Sequence, residues 1–414
     1  MADYKFSVII PVFNRWELTR DCLRSLREHT PGDDFEVIVA DNASSDATQN
    51  ELEPLALALF REHFRSLRFP ENVNFGPACN TGAAAAGSKL LFFLNNDTLL
   101  TPGWSAPLLR ALEEDAGLGA AGPLLLYPDN TVQHLGVAFS TRGVSHLYDH
   151  FPADAPVVRK KRRLQAITAA ALLVPKNLFF EAGAFFKEYR NGFEDLDLCL
   201  QIRKLGKKLA CVPESRIYHL EGQSAGRADH DGANSSLFTR RCGELIHPDL
   251  HQHGLRDGFS VVYDDDLSQS LLVNETRDQE LRREITDGAG VLKAERLDAL
   301  RELVRNNPYW VWGHESYGDC LAERGRPMEA AAIYTRLVNF YPRLATVEKL
   351  MTLAGQAQDL SILRQMRSWL EKMRAFKANK ARQLNLLKQD RLMAGRFNDR
   401  FLLNLCEEKI KELA

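Results

Sequence analysis

Residues 90–94, Leu90-Leu91-Phe92-Phe93-Leu94, are apolar without a break and run straight into Asn95-Asn96-Asp97. A strand covered on one face alternates polar and apolar side chains, whereas an unbroken run fits a strand buried on both faces. Helices packed on both sides of a sheet bury strands in this way. The polar end then sits where the strand leaves the sheet, the carboxyl edge at which open α/β sheets take their ligands. A carboxylate flanked by amides suits a hard divalent cation and the phosphates it carries. Asn and Asp also populate ordinary turns, so the segment alone does not decide between the two.

The surrounding sequence supplies context. Strand patterns fall at 6–12, 35–40, 67–69, 90–97, 119–126, 166–174 and 208–212, with helical patterns at 47–65, 77–87 and 192–206 between them. Another helix follows Asn14-Arg15-Trp16-Glu17, where Asn14 reads as an N-cap with a Glu three residues on. Leu18, Cys22 and Leu26 then recur at helical spacing. This rhythm predicts an α/β fold with a mostly parallel central sheet and helices on both faces.

At 414 residues the chain exceeds one ordinary core. From about 277 onward its pattern is purely helical. Asn307-Pro308 and Tyr341-Pro342 lie 34 residues apart, with Gly318, Gly325, Ala330, Tyr334 and Leu337 between them. Small residues let two helices approach, aromatics fill the groove, and proline ends the second helix. These features predict a tetratricopeptide-like (TPR-like) pair at 311–344. The expected domains are 1–250, a linker or extension at 251–276, and an all-α region at 277–414. Asp264-Asp265-Asp266 reads as solvated linker, after a strand at 259–263.

A net charge of −2 argues against a nucleic-acid partner. No run of about 18 apolar residues predicts a membrane span. The first residues carry no signal-peptide core. Seven cysteines without a Cys-x-x-Cys fit reduced thiols and a cytoplasmic setting. Gly82-Ala83-Ala84-Ala85-Ala86-Gly87-Ser88-Lys89 nearly copies a phosphate-binding loop, but its Ser and Lys are swapped and it ends a helix instead of opening one. No Gly-x-Gly-x-x-Gly follows the first strand. Arg159-Lys160-Lys161-Arg162-Arg163 reads as a solvated loop, with an anionic acceptor such as a lipid diphosphate as the sharper option.

Several polar clusters fall at the expected strand ends. They are Pro11-Val12-Phe13-Asn14, Asp41-Asn42-Ala43-Ser44, Asn72-Val73-Asn74-Phe75-Gly76 with Asn80, and Asn95-Asn96-Asp97. One such cluster is a turn; four on one edge point to a nucleotide pocket. Asp41 could accept a base imide N–H, and Phe13 could cover a base or ribose. Asn191-Gly192-Phe193-Glu194-Asp195-Leu196-Asp197 opens a helix with three acids in its first turn. Acids favour that position through the helix dipole, or one of them serves as a general base. Tyr218-His219-Leu220, followed by small residues through Arg227, reads as a mobile loop after a strand. An imidazole brought near Asp97 would suit Mn²⁺.

Taken together, Ser7–Asn14, 39–46, 72–76 with Asn80, and 93–98 resemble family 2 glycosyltransferases of GT-A fold. Gly122-Pro123-Leu124, Gln133-His134-Leu135-Gly136, 165–170 and Gly192–Leu198 resemble its rhamnosyltransferase-like branch, which builds bacterial surface glycans. The likeness covers about 5–245. It implies inverting transfer of a sugar from a UDP- or dTDP-linked donor to a hydroxyl of a glycan, lipid-linked or protein acceptor. It also implies Mn²⁺ or Mg²⁺ at the leaving diphosphate. Pro11, Phe13, Asn14, Asp41, Asn74, Gly76, Asn80, Asn95, Asn96 and Asp97 would line the donor, with Asp41 on the base. Asp97 and His219 would hold the metal. Asp195, with Glu194 beside it, matches the general base. Trp104, Thr168 and Glu194 would line the sugar and acceptor pocket. Asn95 departs from the family's Asp-x-Asp pattern, which lowers the expected metal affinity. The rival expectation is a degenerate transferase domain acting as a scaffold. The C-terminal helices would then grip a protein partner or a second copy.

Overall fold

The computed structural model describes residues 4–220, 230–287, 292 and 296–413. The chain forms two compact units, one of Met1–Ala138 with His146–Ile246, the other of Phe139–Ser145 with His247–Ala414.

The first unit is built on strands β1 (Phe6–Val12), β2 (Phe35–Asp41), β3 (Phe64–Arg68), β4 (Leu90–Leu94), β5 (Thr98–Leu100), β6 (Leu118–Leu126) and β7 (Val132–His134). A short hairpin of β8 (Val137–Phe139) and β9 (Val144–His146) follows, then β10 (Ala171–Pro175) and β11 (Lys208–His219). The sheet order is β3-β2-β1-β4-β10-β6-β11-β5, with β7 on β6. β1, β2, β3 and β4 pair in parallel, as do β6 and β11. β10 runs antiparallel to both β4 and β6, so β4 and β6 point the same way. The sheet is therefore mixed, and the ends of β1, β2, β4 and β11 share one edge. Because β10 enters from that edge, the residues just before Ala171 also lie there.

Helices α1 (Trp16–His29), α2 (Thr48–Phe60), α3 (Phe75–Ala85), α4 (Ser105–Glu114), α5 (Lys176–Glu181), α6 (Glu194–Lys204) and α7 (Asp231–Cys242) complete the unit. Leu91, Phe92, Phe93 and Leu94 are fully buried, as their unbroken apolar run requires. The GT-A-like core expected from the sequence is present, and an all-α region follows it.

The second unit opens with α8 (Leu250–Arg256) and a hairpin of β12 (Phe259–Tyr263) and β13 (Gln269–Val273). The acidic triplet is the turn of this hairpin and not solvated linker. Asp264 is 4% exposed, and its carboxylate accepts from the backbone N–H of Asp266 and Ser268 and from the Ser270 hydroxyl. Burial, with Asp266 beside it, pushes this carboxyl up to about 8. Asp265 accepts from the Leu344 N–H and pairs with Lys377. Three adjacent carboxylates look solvated in sequence because tertiary partners cannot be read locally.

Helices α9 (Glu275–Ile285) and α10 (Leu297–Asn306) lead into α11 (Val311–Glu323) and α12 (Pro327–Phe340). Four further helices follow, α13 (Leu344–Gln356), α14 (Leu360–Ala378), α15 (Lys380–Arg396) and α16 (Arg400–Leu413). Leu300, Trp310, Leu321, Leu337 and Leu350 share one core. α11 and α12 pack as a hairpin, and Gly318 of α11 lies against Tyr334 of α12. A Cβ there would meet Tyr334 Cε2 at 2.6 Å. Gly318→Ala is therefore expected to destabilise by about 1–3 kcal/mol through overpacking, read as a lower urea midpoint with unchanged slope.

Candidate active site

The donor-side clusters gather at the carboxyl edge. Pro11 lies within β1, in register with Ala40. Phe13, just past the strand, is 49% exposed, unusual for a large apolar ring and available to cover a flat ligand. Asn14 and Arg15 both take left-handed backbone, with φ of 57° and 60°. This geometry turns the Asn14 carboxamide across to the 44–46 loop, where it accepts from the Ser45 and Asp46 N–H groups. Asp46 in turn accepts from Trp16 N at 3.0 Å. The cap of α1 thus comes from Asp46 and not from Asn14, because consecutive left-handed residues swing Asn14 away from the helix.

Asp41 is 2% exposed. One carboxylate oxygen accepts from Ser44 N at 2.9 Å and the other pairs with Arg68 at 2.5 Å. The sequence reading gave Arg68 no role, although parallel pairing sets it directly opposite Asp41. A base that takes Asp41 would share it with this guanidinium. Asn42 holds the third cluster by donating to Asn74 O and accepting from Val73 N. Asn74 adopts a φ of 69° just before α3. Gly76 packs on Phe185, where a Cβ would stand 3.2 Å from the Phe185 Cβ.

Two expected pocket residues are placed otherwise. Asn80 donates to Phe185 O and accepts from Phe185 N. Lying one turn into α3, it spends its carboxamide bracing that loop instead of facing a nucleotide. Trp104 is 2% exposed, packs against Phe6 and Phe92, and donates its indole N–H to Thr30. It is a core residue. An aromatic after a turn looks the same in sequence whether it faces core or cleft.

The next group comes from the end of β4 and from β11. Asn95 and Asn96 leave β4, and Asn96 anchors the turn by donating to the Thr19 hydroxyl. Thr98 opens β5, which pairs antiparallel with β11 so that Thr98 faces His219. The pairing brings His219 Nε2 to 3.1 Å from Asp97 Oδ1. That oxygen is buried and has no hydrogen-bond partner. The amide of Asn95 lies 3.4 Å from the same Nε2. Gln133 accepts at Oε1 from the His219 ring, with 2.7 Å to Nδ1, and donates to His219 O at 3.1 Å. Among the described residues no group of three or more His, Cys, Asp or Glu side chains converges. Asp97 and His219 form a pair. Residues 221–229 of the expected mobile loop lie outside the described residues.

The three acids of α6 separate clearly. Glu194 is 6% exposed and accepts from Gly192 N. Asp197 is 2% exposed and pairs with Arg241 at 2.6 Å. Only Asp195 is half-buried, accepting from Leu196 N at 2.9 Å and from Ala169 N at 3.2 Å. The next residue, Ala170, accepts at its carbonyl from Asn95 N at 2.8 Å. Asp195 is thus joined to the Asn95–Asp97 turn through two adjacent backbone groups at one sheet edge. Thr168, half-buried before them, donates its N–H to His134 Nε2 at 3.1 Å. Burial, with His146 and His219 nearby, holds the His134 imidazole well below its usual pKa, so it stays neutral and can accept. The sequence reading gave Gln133 and His134 no role. Their signal was a polar pair on a strand too short to bury it without partners.

Asp197 gives a pH prediction. Burial pushes its carboxyl up, but Arg241, Gln201 and Cys242 outweigh this and hold it below the usual carboxylate value. A lowered folded-state pKa means the stabilisation is present above the unfolded value and is lost as pH falls through the lowered one. Asp197→Asn is expected to cost about 1–3 kcal/mol at neutral pH. The gap from the parent chain should close as pH falls through the lowered value, read in urea denaturation series.

Residues 7–137 match the family described as glycosyl transferase family 2. The O-antigen biosynthesis protein RfbC of Myxococcus xanthus is 28% identical over 237 residues, 54% of this chain and 18% of that one. The N-acetylglucosaminyl-diphospho-decaprenol L-rhamnosyltransferase of Mycobacterium tuberculosis is 27% identical over 214 residues, 46% of this chain and 68% of that one. A solved structure of GalNAc-T7 with UDP, GalNAc and Mn²⁺ aligns at a TM-score of 0.48 and 18% identity, over 57% of this chain and 48% of that one. The chain spans a quarter or less of the length of two curated relatives it matches.

Proposed function

We propose, starting from the family 2 glycosyltransferase domain at 7–137, that this chain moves a sugar with inversion from a UDP- or dTDP-linked donor to an acceptor hydroxyl. The observation that carries the reading is the Asp97–His219 pair at the edge that also holds Asp195. A ring nitrogen 3.1 Å from a buried carboxylate oxygen with no donor offers a cation two ligands, provided the nitrogen keeps its lone pair. Neighbouring oxygen and nitrogen ligands of one octahedral Mg²⁺ or Mn²⁺ stand about 3 Å apart, so the residues fit. Asp97 and His219 would hold the ion, which when bound offsets the negative charge that grows on a departing diphosphate. With one carboxylate in the pair, the ion is best held together with the diphosphate.

The chain's own groups do the rest. Phe13 covers the base, and Asp41 with Arg68 meets its polar edge. Asp195, fixed by two backbone N–H groups, takes the proton from the acceptor hydroxyl as that oxygen attacks the anomeric carbon. Thr168 lines the acceptor side. Among the described residues no helix is long and apolar enough to cross a membrane. The seven unpaired thiols favour a reducing, cytoplasmic setting. The α11–α12 hairpin supports a TPR-type unit for a carrier protein or a second copy.

The test is a thermal-shift panel of UDP-, dTDP- and GDP-sugars, each with and without Mn²⁺. A matched donor at 100 times its Kd should add about 2.7 kcal/mol of stability, and only with the metal. No shift with any donor would leave the scaffold reading standing in its place.

A further inference from the structure

Gln133 is the only residue of the first unit's site that touches His219 through both side chain and backbone among the contacts described above. Its two contacts leave no choice of orientation. His219 O is a carbonyl and can only accept, so the Gln133 amide nitrogen, 3.1 Å away, must face it. The Gln133 Oε1 is then turned to the imidazole, 2.7 Å from Nδ1. An amide oxygen cannot donate, so Nδ1 must carry the hydrogen. In the neutral ring Nε2 is left with its lone pair, 3.1 Å from Asp97 Oδ1. The Asn95 amide at 3.4 Å agrees, since its N–H can donate to that lone pair. Gln133 is 2% and His219 7% exposed, so water does not offer the ring an alternative partner for Nδ1.

We propose that Gln133 is a positioning residue that locks His219 in the Nδ1–H tautomer and so keeps Nε2 available as a metal ligand beside Asp97. The consequence for metal rests on the transferase reading above; the tautomer lock does not. Lone-pair availability is the whole difference, because an imidazole with its hydrogen on Nε2 has no lone pair there to offer a cation. Partners one shell out from a metal change affinity by about 10–100-fold when lost. The Asn95 position fits the same logic. A carboxylate there would face the Nε2 lone pair, acceptor against acceptor, whereas the amide donates to it.

The test has two readouts. The first is the tautomer of His219 in the metal-free chain, measured by two-dimensional ¹⁵N NMR of histidine-labelled protein at mildly alkaline pH. His219→Gln serves to assign the signal. Hydrogen on Nδ1 is expected; hydrogen on Nε2 overturns the proposal without any variant having to fold. The second is Mn²⁺ binding in the presence of UDP, followed by the loss of the free-ion EPR signal. Gln133→Leu, which cannot accept from Nδ1–H, should weaken binding about 10–100-fold. Gln133→Glu, which keeps the acceptor for Nδ1–H but loses the donor to His219 O, should recover part of it. A Gln133→Leu chain that melts like the parent and binds Mn²⁺ equally well would remove the positioning role. A parent chain that shows Nδ1–H yet takes up no Mn²⁺ would overturn the metal reading while the tautomer lock stands.

Discussion

Asp195→Asn is expected to lower the rate of sugar transfer by on the order of 10²–10⁴-fold while leaving donor affinity nearly unchanged. The size follows from the loss of a general base, about 2.7–5.5 kcal/mol of barrier. The selectivity follows from geometry. Asp195 is held by the N–H groups of Ala169 and Leu196, and Asn fills the same space and still accepts from one of them. Nothing in the Asp97–His219 pair or in the Asp41–Arg68 pair touches it. Single-turnover transfer and equilibrium binding of the donor, measured on the same preparation, separate the two effects. Asp197→Asn is the built-in control. It alters a neighbouring acid of the same helix turn, yet should cost stability through Arg241 and leave turnover close to the parent value. An Asp195→Asn chain with full transfer activity would take this carboxylate out of the reaction.

Asp97→Ala is expected to abolish the metal-stimulated part of both donor binding and transfer, a loss of roughly 10²–10⁴-fold in turnover at saturating Mn²⁺. The turn itself should survive. Asn96 still reaches Thr19, and the Asp97 carbonyl that accepts from Leu220 N belongs to the backbone. The decisive comparison is with a chelator present, where parent and variant should behave alike, since a carboxylate whose task is to hold a cation matters little without one. Equal stimulation by Mn²⁺ in the two chains would rule out this role. Removing Asp97 also relieves a buried oxygen that has no donor in the ligand-free chain. The variant is therefore expected to be at least as stable as the parent, the signature of a residue kept for function at some expense of stability.

Much of this was legible in the sequence because local pattern and tertiary role agree there. The run 90–94 is buried on both faces, and the polar residues after β1, β2 and β4 meet at one edge because parallel strands must end together. What stayed hidden was decided by partners distant in sequence. Glu194, Asp195 and Asp197 are equivalent by charge and helix position. Only Ala169 on Asp195 and Arg241 on Asp197, from separate segments, tell those two apart. Asn80 and Trp104 carry the chemistry of pocket residues, but Phe185 takes one and Thr30 with Phe92 takes the other. Asp264 looked wet because no local rule foretells a turn that folds its carboxylate inward. Gln133 and His134 could be noticed in the sequence, but their task depends on distant partners, the His219 ring and the Thr168 N–H.

That task bears on how this protein can change. Neighbouring side chains of β7 leave on opposite faces; one meets the His219 imidazole, the other the Thr168 N–H just before the backbone that holds Asp195. Both contacts are thus mounted on a three-residue strand. A one-residue insertion or deletion between Tyr127 and Gly136 would slip the register and send each side chain to the wrong face. Such an indel should silence the protein while leaving every reacting atom in the chain, so during divergence this short strand can be exchanged only as a unit.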